Sequence, residues 1–156
     1  MQHQFPTRII SGGQTGVDRA ALDVAILLGI DHGGWCPRGR LAEDGEIPAR
    51  YRLQETALPH YHIRTEWNVR DSDATLVLYA TELSGGSALT VKMADKHRRP
   101  KMLVDLDANH DALEIRNWVQ NQQASNLNIA GPRESTVHGI QERAQSALMR
   151  ILGSVD

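Results

Sequence analysis

This sequence has little cysteine, few aromatic residues and no marked excess of charge of either sign. Of its 156 residues only Cys36 is a cysteine, and aromatic residues make up 4% of the chain. A lone cysteine excludes an internal disulfide and an all-cysteine metal site, and it is typical of a cytoplasmic protein. The formal net charge of −2 argues against a dedicated nucleic-acid binder.

Long apolar runs are also missing. Residues 1–7 are largely polar, so we expect no secretion signal, and the apolar segment over 17–28 is too short to span a membrane. The sequence contains no internal repeat and no low-complexity segment. We therefore expect residues 1–156 to form one cytoplasmic domain with no membrane segment, long enough to enclose a sizeable core.

Segments with strand and helix patterns alternate along the chain. The patterns predict strands over 8–11, 30–35, 74–80, 101–106 and 127–130, and helices over 17–28, 88–97, 111–123 and 136–152. The run 74–80 is continuously apolar, which is typical of a strand covered on both faces. We interpret His60 and His62 as one face of an edge strand rather than as metal ligands. The order of elements predicts an α/β domain with a mostly parallel sheet and helices on both faces.

A glycine-rich stretch, Ser-Gly-Gly-Gln-Thr-Gly-Val-Asp-Arg over residues 11–19, joins the first strand to the first helix. Unpaired N–H groups and the dipole at a helix start favour an anion, and glycines let a ligand approach the backbone. The stretch lacks the Gly-Lys-Ser/Thr of a Walker loop and the first glycine of the dinucleotide fingerprint. A tight turn without a ligand is the alternative, and a carboxylate in the first turn can simply favour the dipole. The ligand interpretation assigns binding to Gly12, Gly13, Gln14, Thr15, Gly16, Asp18 and Arg19.

The stretch 36–48 is long, polar and without periodicity, so it is either functional or a solvated loop. Arg38 and Arg40 suit bidentate contact with a phosphate or another oxyanion. Glu43 and Asp44 suit ligand positioning, metal binding or acid–base chemistry.

Two further strands lead into glycine turns that precede a helix. Gly85, Gly86 and Ser87 follow the apolar strand, and Arg133 and Ser135 follow the last strand. Because ligands of open α/β sheets bind at the carboxyl ends of the strands, we expect the three turns to enclose one crevice. Its residues suit a phosphorylated, nucleotide-like or oxyanionic ligand. Ser135 also fits the N-cap of the last helix.

Five segments together resemble a bacterial family named putative molybdenum carrier proteins: SGGQTGVDRAAL at 11–22, GGWCPRGRLAEDG at 33–45, NVRDSDAT at 68–75, GGSALTV at 85–91 and AGPRES at 130–135. The resemblance covers nearly the whole chain. It implies a Rossmann-like fold in the superfamily of LOG-type nucleoside-monophosphate phosphoribohydrolases and the DNA-processing protein A. It also implies a nucleotide-type pocket, a homo-oligomer (dimer or tetramer), and molybdenum cofactor or a nucleotide as the bound group.

The chain departs from the LOG-type motif Pro-Gly-Gly-x-Gly-Thr-x-x-Glu, whose glutamate takes part in hydrolysis. Aligned on the glycine pair, Ser84 replaces the proline, Ala88 the next glycine, Leu89 the threonine and Lys92 the glutamate. The glycine pair is kept, but the catalytic carboxylate is lost. The resemblance therefore favours a binding protein for a small phosphorylated ligand over a LOG-type hydrolase.

In the binding interpretation Arg38, Arg70 and Arg133 supply the countercharge. Arg70 is equally able to pair with Asp71 or Asp73 for a structural purpose.

The alternative is a hydrolase that cleaves an N-glycosidic or phosphate bond of a nucleotide derivative. Its catalytic candidates are Glu43 and Asp44, with Asp18 behind them.

Overall fold

Five strands, each parallel to its neighbours, form the central sheet in the order β2-β1-β9-β7-β8. The computed structural model describes residues 4–153. The strands of the sheet are β1 (Arg8–Ile10), β2 (Asp31–Gly33), β7 (Ala74–Tyr79), β8 (Lys101–Asp105) and β9 (Asn126–Ala130). The described part of the chain also contains four two-residue strands: β3 (Trp35–Cys36), β4 (Leu41–Ala42), β5 (Gly45–Glu46) and β6 (Gln54–Glu55). The predicted parallel sheet is confirmed.

Five helices within residues 4–153 cover the sheet: α1 (Val17–Leu28), α2 (Tyr61–Arg70), α3 (Gly85–Lys96), α4 (Ala112–Asn121) and α5 (Ile140–Leu152). α1, α4 and α5 contribute to one large core together with the sheet, whereas α2 and α3 pack against each other. Along β7, Ala74, Leu76 and Leu78 belong to that core. Thr75 and Val77 are buried on the other face, where α3 packs on the strand. The predicted α/β domain with helices on both faces is therefore confirmed.

α1 illustrates how local sequence sets an element. Its bounds are those that the apolar spacing predicts, and Gly29 ends it in the left-handed conformation with φ of 68°. No helix among residues 4–153 is both long enough and apolar enough to cross a membrane.

The segment from β3 to β6 forms a small lobe on α1. β3 pairs with β6, and β4 and β5 form a hairpin whose turn is Glu43-Asp44. The lobe has its own core, made of Leu22, Cys36, Ala42, Ile47 and Tyr51. The stretch 36–48 is therefore ordered around apolar contacts rather than a solvated loop, and the thiol of Cys36 is buried.

Two predicted strands are wrong in extent or kind. The predicted strand 30–35 divides at Gly34, whose φ of 132° turns the chain from β2 in the central sheet to β3 in the lobe. His60 and His62 lie at the start of α2 and not in an edge strand. The buried positions of α2 include Arg64 and Asn68, so its inner face is partly polar and has no apolar period that marks a helix.

The last helix begins later than the spacing predicts. It starts at Ile140, and the carboxylate of Glu134 accepts hydrogen bonds from the backbone N–H groups of Gly139 and Gln141, at 2.5 and 3.0 Å. Ser135 is therefore not the N-cap of α5. Residues 131–139, which precede α5, form a segment that we call the β9–α5 loop.

Gly16, at the start of α1, has a φ of 83°, and the β9–α5 loop lies against it. A Cβ added there would overlap the carbonyl oxygen of Pro132 and lie 2.9 Å from the backbone of Arg133. What approaches Gly16 closely is thus another part of the chain.

We expect Gly16→Ala to lower the free energy of unfolding by about 3 kcal/mol. The cost of a non-glycine residue at positive φ and the cost of overlap with the β9–α5 loop add together. Gly29→Ala is the matched control, since Gly29 also has positive φ but an added Cβ there meets nothing within 4 Å. It should cost only about 1 kcal/mol. Urea unfolding of both variants measures the difference, and equal losses would contradict the packing explanation.

Candidate functional site

Three chain reversals at adjacent strands line one cavity of about 460 Å³ at the carboxyl edge of the sheet. The strands are β1, β9 and β7, which are neighbours in the sheet. The lining residues from these reversals are Gly12 and Gln14 after β1, Gly131, Pro132, Arg133, Ser135 and Thr136 after β9, and Ser84, Gly85, Gly86 and Ser87 after β7. The volume is in the range of small-molecule sites.

α2 supplies a wall of the cavity that the sequence analysis did not anticipate. Arg64, Thr65 and Asn68 line it from this helix. The guanidinium of Arg64 is buried and donates a hydrogen bond of 2.8 Å to the carbonyl oxygen of Gly12. Arg64 thereby ties α2 to the turn after β1.

A buried carboxylate, Asp18, also lines the cavity. Its burial raises the pKa from the ordinary 3.8 to about 6, although the positive charges of Arg64, Arg19 and Arg133 and a backbone hydrogen bond from Gln14 oppose the rise. Burial also lowers the pKa of Arg64, and the charge of Asp18 opposes that change. Each buried charge thus reduces the cost of burying the other.

Two guanidinium groups flank the aromatic ring of Tyr61. The central carbons of Arg64 and Arg133 lie 5.3 and 5.5 Å from the ring centre. The guanidinium of Arg133 makes no hydrogen bond or ion pair with any residue in the described part of the chain, 4–153. Arg133 therefore brings to the cavity a positive charge that stacks on Tyr61 but has no hydrogen-bonded acidic partner among the described residues.

Among residues 4–153, two buried side-chain polar atoms have no hydrogen-bond partner, Gln14 Nε2 and Ser87 Oγ. Both residues line the cavity. The amide of Gln14 has a fixed orientation, because its Oε1 accepts from the backbone N–H groups of Thr15 and Glu43 at 3.0 and 2.8 Å. Burying a polar group without a partner is costly, so these two atoms leave unused hydrogen-bonding capacity in residues of the cavity wall.

The start of α3 is the open helix terminus of the cavity. Its N-cap Ser84 makes no side-chain capping bond, and a Cβ added at Gly85 or Gly86 meets nothing within 4 Å. This position therefore combines open space with the positive end of the helix dipole and the buried hydroxyl of Ser87. Such a combination favours an anion.

The start of α1, in contrast, is occupied by the protein itself. The backbone N–H of Gly16 donates to Gln141 Oε1 at 2.9 Å, and that of Val17 donates to the Pro132 carbonyl at 3.2 Å. Gly13 lies outside the cavity, and a Cβ there would touch Leu53 of the lobe. The first glycine turn therefore shapes the cavity mainly by packing.

Arg19 and Asp44 lie outside the cavity and pair with each other. The guanidinium of Arg19 donates to both carboxylate oxygens of Asp44, at 2.9 and 3.2 Å, and to the carbonyl of Gly13. This hydrogen bonding lowers the pKa of Asp44. Neither residue is among those that line the cavity.

Three more predicted arginines lie away from the cavity. Arg38 is exposed on the lobe. Arg70 donates two hydrogen bonds to Asp71, at 2.7 and 3.0 Å, which is the structural pairing that the sequence left open. Arg40 donates to the carbonyl oxygens of Ile47, Pro48 and Tyr51 and so holds the lobe together.

Glu43 connects two of the reversals from outside the cavity. Its carboxylate accepts hydrogen bonds from Thr15 Oγ1, from the backbone N–H of Ser135 at 3.1 Å and from Ser135 Oγ. Desolvation opposes ionisation, but the hydrogen bonds from Ser135 and Thr15 outweigh it and lower the pKa of Glu43. Thr15 and Glu43 therefore act together as a link between the turn after β1 and the β9–α5 loop.

Several cavity residues were missed by sequence reasoning: Arg64, Thr65, Asn68, Thr90 and Asn128. Two signals could have found some of them. Arg64 and Asn68 are spaced by four, which places them on one face of a helix. Asn128 is a buried residue in the middle of β9, where a polar side chain is unusual.

A parallel sheet covered by helices, with a glycine-lined cavity at its carboxyl edge, defines a Rossmann-like α/β protein. The model of the circularly permutated YpsA SLOG family matches residues 9–152. The chain belongs to this family.

A crystal structure of a "putative molybdenum carrier protein" from Syntrophus aciditrophicus SB is similar over nearly the full length. It is 43% identical in sequence, with 97% of this chain and 98% of that chain covered and a TM-score of 0.92. The resemblance drawn from the sequence motifs is thereby confirmed. A search of the curated proteins found no significant match.

The burial of Asp18 predicts how stability depends on pH. Since its pKa in the folded state, about 6, lies above the ordinary 3.8, the folded state loses stability as pH rises through this window. Asp18→Asn removes the titration. We expect the variant to gain about 1 kcal/mol relative to the parent between about pH 5 and pH 7.5, measured by urea unfolding.

Asp44→Asn is the control for this measurement. The pKa of Asp44 is lowered by Arg19, so its carboxylate stays ionised over the same range and the difference from the parent should be constant. A constant difference for Asp18→Asn as well would contradict the raised pKa.

Proposed function

We propose that this protein binds a phosphorylated, nucleotide-type ligand in the cavity at the carboxyl edge of the sheet. One observation carries the proposal: the two buried polar atoms without partners, Gln14 Nε2 and Ser87 Oγ, both belong to cavity residues. A ligand with acceptor oxygens would satisfy both.

The charges of the cavity support an anionic ligand. Arg64 and Arg133 contribute two positive charges against the single carboxylate of Asp18. The open start of α3 adds backbone N–H groups and a favourable dipole. We infer that a phosphate lies against Gly85, Gly86 and Ser87 with Arg133 as its countercharge, and that Gly12 and Gln14 contact the remainder of the ligand.

Molybdenum cofactor is one ligand of this chemistry, and the similar protein from Syntrophus aciditrophicus is named a "putative molybdenum carrier protein". Its phosphate fits the donors at the start of α3. The only thiol, Cys36, is buried in the lobe core and does not line the cavity, so this chain offers the cavity no cysteine ligand for a metal. A carrier role would therefore depend on the phosphate and ring of the pterin.

A hydrolase acting on a nucleotide derivative is the second candidate, and Asp18 is the observation in its favour. Of the three predicted catalytic carboxylates it alone lines the cavity, and a pKa of about 6 suits acid–base chemistry near neutral pH. Product analysis after incubation with nucleotides tests this candidate. Turnover that is unchanged in Asp18→Asn would remove Asp18 from the role.

Binding is tested by calorimetry with AMP, ADP-ribose and molybdenum cofactor. Arg133→Gln should weaken the affinity of the ligand that binds by about tenfold or more, because a charge-assisted contact is lost. Arg38→Gln is the matched control: it removes the same charge from an exposed position outside the cavity and should change affinity less than twofold, by about the resolution of the measurement.

Two results would contradict the proposal. One is the absence of binding of any of these compounds to folded protein. The other is an equal effect of the two arginine substitutions, which would indicate general electrostatics rather than a site.

The proposal retains the expectation of a cytoplasmic homo-oligomer, a dimer or tetramer. Native mass spectrometry of purified protein would report the assembly and any co-purified ligand together.

A further inference from the structure

Tyr61, the first residue of α2, lies beside two arginines of the cavity wall. The central carbons of Arg64 and Arg133 lie 5.3 and 5.5 Å from the centre of its ring. Both arginines line the cavity, whereas Tyr61 itself does not. Burial lowers the pKa of Arg64, and the positive charge of Arg133 lowers it further, which reflects repulsion between the two guanidinium groups. The electron-rich face of an aromatic ring attracts cations and thus favours an approach that the two charges alone oppose.

The two arginines differ in what else holds them. The guanidinium of Arg64 is buried and donates a hydrogen bond of 2.8 Å to the backbone of the turn after β1. The guanidinium of Arg133 makes no hydrogen bond or ion pair with another residue of the described chain. The carboxylates of Asp18 and Glu43 attract it electrostatically but accept no hydrogen bond from it. For Arg133, the ring of Tyr61 is therefore the contact that restricts where the guanidinium lies.

An aromatic partner leaves the hydrogen-bonding capacity of Arg133 unused. A carboxylate would occupy N–H donors of the guanidinium and cancel its charge, whereas a ring does neither. The hydroxyl of Tyr61 makes no hydrogen bond within the part of the chain that the structure describes, so the contact depends on the ring alone. Arg133 is thus held in place and still able to donate to a ligand.

We propose that Tyr61 is a positioning residue for anion binding, because its ring holds the guanidinium of Arg133 at the cavity wall with the N–H donors unused. The inference rests on the proposed binding of a phosphorylated ligand. Immobilising a long, flexible side chain opposes binding, and a guanidinium that is already held loses less freedom when the anion arrives. Tyr61 therefore strengthens binding without touching the ligand.

The experiment is calorimetry with AMP, ADP-ribose and molybdenum cofactor, applied to the parent, Tyr61→Leu and Tyr61→Phe. Tyr61→Leu removes the ring and should weaken the affinity for the compound that binds by about fivefold. Tyr61→Phe keeps the ring and should change this affinity less than about twofold. In a protein that already carries Arg133→Gln, Tyr61→Leu should also have an effect below about twofold, because no guanidinium is left to position.

A second measurement follows the guanidinium of Arg133 without any ligand. In ¹H–¹⁵N NMR spectra the Nε–H signal of Arg133 is assigned by its loss in Arg133→Gln. The ring current of the aromatic side chain should displace this signal from the position of a free arginine in the parent and in Tyr61→Phe. In Tyr61→Leu the signal should return toward that position, while the dispersion of the backbone signals reports that the variant is folded.

Trp67→Leu is the matched control. The ring of Trp67 lies on the same helix and contacts Arg70 at 4.9 Å, and neither residue lines the cavity. The substitution removes a comparable contact between an aromatic ring and an arginine, and it should change the affinity less than about twofold.

The outcomes separate this inference from the proposed function. If the parent binds and Tyr61→Leu binds equally well, the inference is overturned and the binding proposal stands. A loss of affinity in Tyr61→Leu that persists in the Arg133→Gln background also overturns it, since Tyr61 would then act on the ligand by another route. An Arg133 signal that does not respond to Tyr61→Leu overturns it too. If none of the compounds binds the folded parent, the proposed function fails and the inference fails with it.

Discussion

The buried pair of opposite charges, Arg64 and Asp18, is the constraint on which the cavity depends. Neither charge would be stable alone in the wall of a partly desolvated cavity, because burying an unpaired ion costs several kcal/mol, on the order of 5. Each charge lowers the free-energy cost of burying the other. The guanidinium of Arg64 also donates a hydrogen bond of 2.8 Å to the carbonyl oxygen of Gly12. This hydrogen bond fixes α2, which lacks a strong apolar face, against the turn after β1. The excess positive charge is then supplied by Arg133.

The glycine turns before α1 and α3 look alike in sequence but differ in what lies against them. At the start of α1 the N–H groups of Gly16 and Val17 are bonded to α5 and to the β9–α5 loop. At the start of α3 the glycines border open space. The first reversal therefore forms part of the cavity wall, and the second leaves open space at the start of a helix. A glycine turn before a helix indicates close backbone approach, but only the packing shows whether a ligand or the chain itself makes that approach.

The lobe between β3 and β6 contacts elements around the cavity through its β4–β5 hairpin. Its small core on Leu22 fixes the position of the hairpin relative to α1. The hairpin in turn carries Glu43 and Asp44, whose partners lie on the turn after β1, on α1 and on the β9–α5 loop. The two carboxylates of this polar stretch thus join the hairpin to neighbouring elements by hydrogen bonds.

Much of the fold was predictable because its signals are local. The bounds of α1, the buried strand β7 and the alternation of strands and helices follow from apolar spacing and from residues such as Gly29. α2 was missed because two of its three buried residues are polar, and the start of α5 was misplaced because Glu134 caps it from six residues upstream of the first helical residue. The parallel order of strands with carboxyl ends at one edge also placed Gly12, Gly85 and Arg133 at the same side of the sheet.

By itself, the sequence determined the class of fold and the positions of the reversals, since both depend on patterns within a few residues. Only the tertiary structure decided which arginines face the cavity. Arg19, Arg38, Arg70 and Arg133 have the same side chain and differ only in their surroundings. Arg19 and Arg70 pair with aspartates, Arg38 is exposed to solvent, and Arg133 lines the cavity. Contacts such as that between Glu43 and Ser135 join residues 92 positions apart. No local pattern encodes such a pairing, because it exists only when the packing of the lobe and the sheet brings the two residues together.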